Sequence, residues 1–70
     1  MDIFEDLKEI FGFTYISEMK ASRSIKSYVG SMNLKVYPLS QLSDLYNYLY
    51  DEPITFSDYA EAHDVFRAKR

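Results

Sequence analysis

Five segments of the chain place apolar side chains on one face at helical spacing, with polar residues between them. The first covers residues 2–11, where Ile3, Phe4, Leu7, Ile10 and Phe11 share a stripe. Acids crowd its opening turn, as the helix dipole favours, and Gly12 supplies a left-handed stop. Phe13, Ile16 and Met19 continue the spacing over residues 13–20, which predicts a short second helix or a continuation of the first bent at Gly12. Residues 22–32 carry Ile25, Tyr28, Val29 and Met32, with Ser22 or Ser24 as the cap that accepts a free backbone N–H. Gly30 weakens this third helix by about 1 kcal/mol relative to alanine.

Residues 33–38 read as extended, because a proline at 38 drives Tyr37 away from helical geometry. Leu42, Leu45, Tyr46 and Leu49 then predict a helix over 41–50 capped by Ser40. The run YNYLY also alternates like a strand, but a lone strand would find no partner in this chain. Asp51-Glu52-Pro53 makes a turn. Thr55 or Ser57 caps a last helix over 56–67, and Thr55 with Asp58 resembles a capping box. Its buried face is Phe56, Tyr59, Ala62, His63 and Phe66. The pattern as a whole predicts an all-α fold, a compact bundle of four to five short helices in one domain.

Composition narrows the chemistry. Seventy residues hold one core at most. Seven Tyr and five Phe argue against disorder, and they offset the small size because each ring buries a large area. The absence of Cys excludes disulfides, thiolate nucleophiles and Cys-based metal sites, and a single His excludes a multi-histidine site within one chain. No cofactor or metal is expected. The first residues are acidic where a secretory signal would be basic, and no apolar run approaches the ~20 residues that span a bilayer. The expectation is a cytoplasmic protein without membrane contact.

The net charge of −3 conceals a segregated pattern. Asp2, Glu5, Asp6, Glu9 and Glu18 against Lys8 leave −4 over residues 1–18. Lys20, Arg23, Lys26 and Lys35 give +4 over 19–36, and Asp44, Asp51, Glu52, Asp58, Glu61 and Asp64 give −6 over 37–66. Arg67, Lys69 and Arg70 close the chain at +3. Blocks of alternating sign in a small domain attract one another across the fold. Lys20, Arg23 and Lys26 also recur every third residue, so one helix through them would place them on one side. With Lys35 they could follow a phosphate backbone, giving weak, salt-dependent nucleic-acid binding.

No catalytic constellation completes itself. His63 lies among Glu61 and Asp64, but its helical position puts it with Tyr59 and Phe66 on the apolar face, and no nucleophile accompanies it. Asp51, Glu52, Asp44 and Asp58 lack Ca²⁺-loop spacing and read as a solvated turn. There is no nucleophile elbow and no phosphate-binding glycine loop, so the protein is not expected to be an enzyme. Tyr46 joins Leu42 and Leu49, which leaves Tyr48 and Tyr50 partly exposed. Exposed tyrosine is a common interface anchor, and Tyr37, Tyr48, Tyr50, Asp51, Glu52 and Asp58 form the candidate protein interface.

The order of short motifs between residues 13 and 67 resembles the YozE family, whose fold is sterile-alpha-motif-like. The resemblance is carried by the aromatic segment Phe13-Thr14-Tyr15-Ile16, by Ser24-Ile25 with Tyr28 three residues on, and by the Tyr37-Pro38 step. Tyr48-Leu49 and the run Tyr59, Glu61, Ala62, His63, Asp64 and Phe66 complete it. The helix at 2–11 is an addition to that region. The resemblance implies an all-α bundle of bacterial or phage type and no catalytic residues to carry over. It points to modules that bind proteins or, less often, nucleic acids, and that often self-associate. Three functions follow as expectations. The first is a non-catalytic module that binds a protein partner. The second is weak nucleic-acid binding through Lys20, Arg23, Lys26 and Lys35. The third is a phage inhibitor, anti-CRISPR or otherwise anti-defence, whose acidic surface blocks a host nucleic-acid-binding enzyme.

Overall fold

A computed structural model describes residues 2–69. These residues form an all-α bundle of five helices and one 3-10 turn. Helix α1 spans Ile3–Phe11. Asp2 caps it by accepting the Phe4 N–H at 2.9 Å, which satisfies one of the backbone donors left free at a helix start. Gly12 ends it at φ 69°, where a side chain would be strained. The Gly12 N–H reaches the Glu9 carbonyl and the Phe13 N–H reaches that of Lys8, the paired closure of a Schellman turn. Ile3 and Leu7 of the apolar stripe are buried, Phe4 and Phe11 pack half-buried against the core, and Ile10 is exposed.

The second helix is shorter than the spacing predicts. Residues 13–16 form turns, and α2 covers Ser17–Lys20 alone, burying Met19. Helix α3 spans Arg23–Val29, capped by Ser22, whose hydroxyl accepts the Ile25 N–H at 3.2 Å. It stops at Gly30 rather than reaching Met32. The segment expected to be extended instead folds into a 3-10 turn over Leu34–Val36, because the Asn33 side chain accepts the Lys35 N–H at 3.1 Å and nucleates it. Tyr37 itself is extended, as the following proline requires.

Helix α4 runs over Leu39–Tyr50, two residues longer at its start than expected. Ser40 does not cap it. Pro38 stands at the cap position, and its carbonyl accepts the N–H groups of Gln41 and Leu42. Asp51 ends it in the left-handed region at φ 54°. Helix α5 begins at Tyr59 and ends at Lys69, later than predicted. Neither Thr55 nor Ser57 is its cap. The Asp58 carboxylate accepts the Glu61 N–H at 2.8 Å, and Glu61 reaches back to accept the Ser57 N–H at 2.7 Å. The pair resembles a capping box shifted along the chain from the Thr55–Asp58 pairing, except that Glu61 reaches the N–H of the residue before the cap.

Phe56 enters the core from the extended segment before α5. Its backbone N–H donates to Ser43 Oγ at 3.0 Å, so the buried peptide group is satisfied. There Phe56, Tyr46 of α4 and Phe66 of α5 meet as a ring triad with centroids 5.5 to 5.8 Å apart. These spacings suit tilted and edge-on ring contacts, which add to the stabilisation from burial. Ala62 lets α5 approach the core closely, while Tyr59 and His63 are only half-buried.

Candidate interaction surfaces

The C-terminal end of α4 gathers the tyrosines and acids singled out in the sequence. Tyr48 is half-buried, edge-on to Phe4 of α1 at 6.0 Å, and Lys20 stands 5.8 Å over its other side. Lys20 also donates to Asp51 at 2.7 Å. Tyr50 is half-buried between Lys26 at 5.2 Å and Lys69 at 5.8 Å from its ring centre, a doubled cation–π contact. Its hydroxyl is buried with no hydrogen-bond partner among the described residues, and burial pushes its pKa up. Lys69 donates to Glu52 at 2.7 Å, and Glu52 also accepts from the Tyr46 hydroxyl at 3.3 Å. The Lys69 hydrogen bond holds the Glu52 carboxyl below its ordinary range, while Glu52 holds the Lys69 ammonium above its own. Burial, and then the nearby Glu52 charge, raises the Tyr46 phenol.

These contacts redistribute the roles read from the sequence. The basic segment is not one stripe, because the chain breaks between α2 and α3. Lys20 is ion-paired, Lys26 lies against Tyr50, and Arg23 borders a shallow groove with Phe11 and Tyr28. Lys35 stands apart within the 3-10 turn. Asp51 and Glu52 face lysines of this same chain, and Asp58 serves as the α5 cap. Asp58 therefore holds its own helix before it can meet a partner.

Tyr37 does not belong to an exposed interface. It is 5% exposed, and its hydroxyl donates to Asp6 of α1 at 2.6 Å. Its carbonyl accepts the Tyr59 hydroxyl of α5 at 2.7 Å. Burial, reinforced by the Asp6 carboxylate, pushes its phenol up to about 12. The pre-proline geometry fixes the backbone of Tyr37 so that side chain and carbonyl address two different helices.

Apart from Val36 in the 3-10 turn, the exposed large apolar side chains among the described residues lie between residues 10 and 28. Phe11 stacks with Phe13 at 6.0 Å and meets the edge of Tyr28 at 5.4 Å. Ile10, next to Phe11, and Tyr15, two residues past Phe13, are 55% and 67% exposed, and Ile16 and Tyr28 are exposed as well. The helical period of α1 assigns Ile10 to the buried stripe, yet it is exposed while Phe11 beside it packs against the core. The signal in the sequence was density rather than period: Ile10 through Ile16 has only Gly12 and Thr14 as interruptions in an apolar run.

His63 is half-buried on α5 and lines a groove with the 3-10 turn. Among the described residues no group of three or more His, Asp or Glu could hold a metal ion, and no helix is long and apolar enough to cross a membrane. No family model, curated protein or solved structure matches the chain.

Proposed function

We propose that the protein is a small non-catalytic helical module that binds another protein through the surface of Ile10, Phe11, Phe13, Tyr15 and Tyr28. The observation that carries this reading is the exposure of Ile10 and Tyr15, 55% and 67%, beside a cluster of three rings. Exposed apolar side chains near one another in the chain are candidate interaction sites, and Tyr and Phe are enriched at interface centres. The charged residues at the end of α4 support the same reading by contrast, because ion pairs and ring contacts within the chain already engage them. The resemblance to YozE, through the aromatic segment at 13–16, favours a binding module of bacterial or phage type.

The test compares two double variants as bait in a bacterial lysate. Ile10→Ser with Tyr15→Ser is expected to lose the proteins that the parent retains, while Tyr48→Ala with Tyr50→Ala keeps them. The first variant changes only exposed side chains, so its stability should stay within about 0.5 kcal/mol of the parent. Equal retention by the Ile10/Tyr15 variant would overturn the assignment of this surface.

A further inference from the structure

We infer that the groove between the 3-10 turn and α5 binds a small carboxylate with an apolar body. This groove has a volume of about 460 Å³, within the usual range of small-molecule sites. Its floor and walls are apolar, built from Met32, Leu34, Ala60 and the Tyr59 ring. Asn33, Lys35 and His63 supply the polar groups.

Each of the polar side chains can donate to a ligand. The Tyr59 hydroxyl is engaged by the Tyr37 carbonyl at 2.7 Å. Asn33 Oδ1 already accepts the Lys35 N–H at 3.1 Å, and its amide NH₂ is a further donor. Lys35 enters no ion pair among the described residues. The imidazole of His63 offers an N–H in either protonation state. A site that presents donors and one ammonium over an apolar floor selects an acceptor anion whose hydrocarbon part displaces water. A single lysine balances one negative charge. Asp58, which caps α5, and Glu61 and Asp64 within it disfavour a dianion such as a phosphate monoester.

The groove shares no residue with the surface of Ile10, Phe11, Phe13, Tyr15 and Tyr28, so either assignment can fail without the other. The test follows backbone amide shifts of the labelled full chain during titration with hydrocinnamate, with hydrocinnamyl alcohol as the neutral counterpart and acetate as the anion without a ring. Hydrocinnamate is expected to shift residues 32–35 and 59–63, with much weaker effects from the other two. Lys35→Ala should weaken binding about tenfold, the size of one charge-assisted hydrogen bond. Ala60→Phe fills the groove from an exposed helical position, so binding should vanish while shifts elsewhere stay native. Equal response to the alcohol or to acetate, shifts centred outside the groove, or no shifts at millimolar ligand would each overturn the proposal.

Discussion

The turn between α4 and α5 and the corner between α1 and α2 handle exposed side chains in opposite ways. At the turn, Asp51, Glu52, Lys20 and Lys69 are all exposed or nearly so, yet each finds an opposite charge within the chain. At the corner, Ile10, Tyr15 and Ile16 lie open beside Phe11 and Phe13. The difference is one of range and geometry. Two long charged side chains can reach each other across a small fold, although an exposed pair stabilises by less than about 1 kcal/mol. Apolar area can be covered only by a second surface of matching shape, and no described element covers this corner. The corner is therefore where a partner would change the free energy most.

The largest effect that would break this contrast comes from beneath the turn. Phe66→Ala removes one ring of the triad with Tyr46 and Phe56 and should cost about 3–5 kcal/mol, comparable to the whole stability of a domain this size. Denaturant titration should find it unfolded, whereas Phe66→Leu should remain folded with a lowered midpoint. A loss below about 1 kcal/mol for the alanine variant would mean that the turn does not rest on a packed core.

A smaller effect tests Tyr37. Its folded pKa of about 12 exceeds the ordinary 10.0, so the folded state holds this proton more tightly. The associated stability is complete below pH 10 and falls as pH rises through 12, by on the order of 2 kcal/mol. Thermal melts across that range should show the decline. Tyr37→Phe should lose part of this alkaline sensitivity, and an identical decline in the variant would assign it to other tyrosines.

The smallest effect lies in the charges themselves. A double-mutant cycle with Lys20→Ala and Asp51→Gly should give a coupling below about 1 kcal/mol. Asp51→Gly also relieves the left-handed backbone at φ 54°, so that single variant should be near neutral by chemical denaturation. A coupling of several kcal/mol would make the turn, rather than the core, the determinant of the fold.

The bundle itself was legible because apolar spacing survives in every long helix. Gly12, Ser22 and the Tyr37-Pro38 step also act as local chemistry predicts. What was not legible required knowledge of competition or of distance. Thr55, Ser57 and Asp58 all offer oxygens ahead of α5, and the choice falls to Asp58, with Glu61 reaching back to the Ser57 N–H. The 3-10 turn depends on one side-chain bond from Asn33. The opposed charge blocks did foretell contacts such as Lys20 with Asp51, but not the break between α2 and α3 that divides the basic stripe. Ile10 misleads because period describes a helix face and says nothing about where the neighbouring helix ends.

Tyr37 has a consequence for how the protein opens. It bonds to Asp6, 31 positions before it, and to Tyr59, 22 positions after it. The first and last helices are thus latched to one residue in the middle of the chain. Neither can peel away without disturbing the latch that holds the other. Hydrogen exchange in α1 and α5 should then follow a shared opening event, so that the domain comes apart as one cooperative unit rather than fraying from either end.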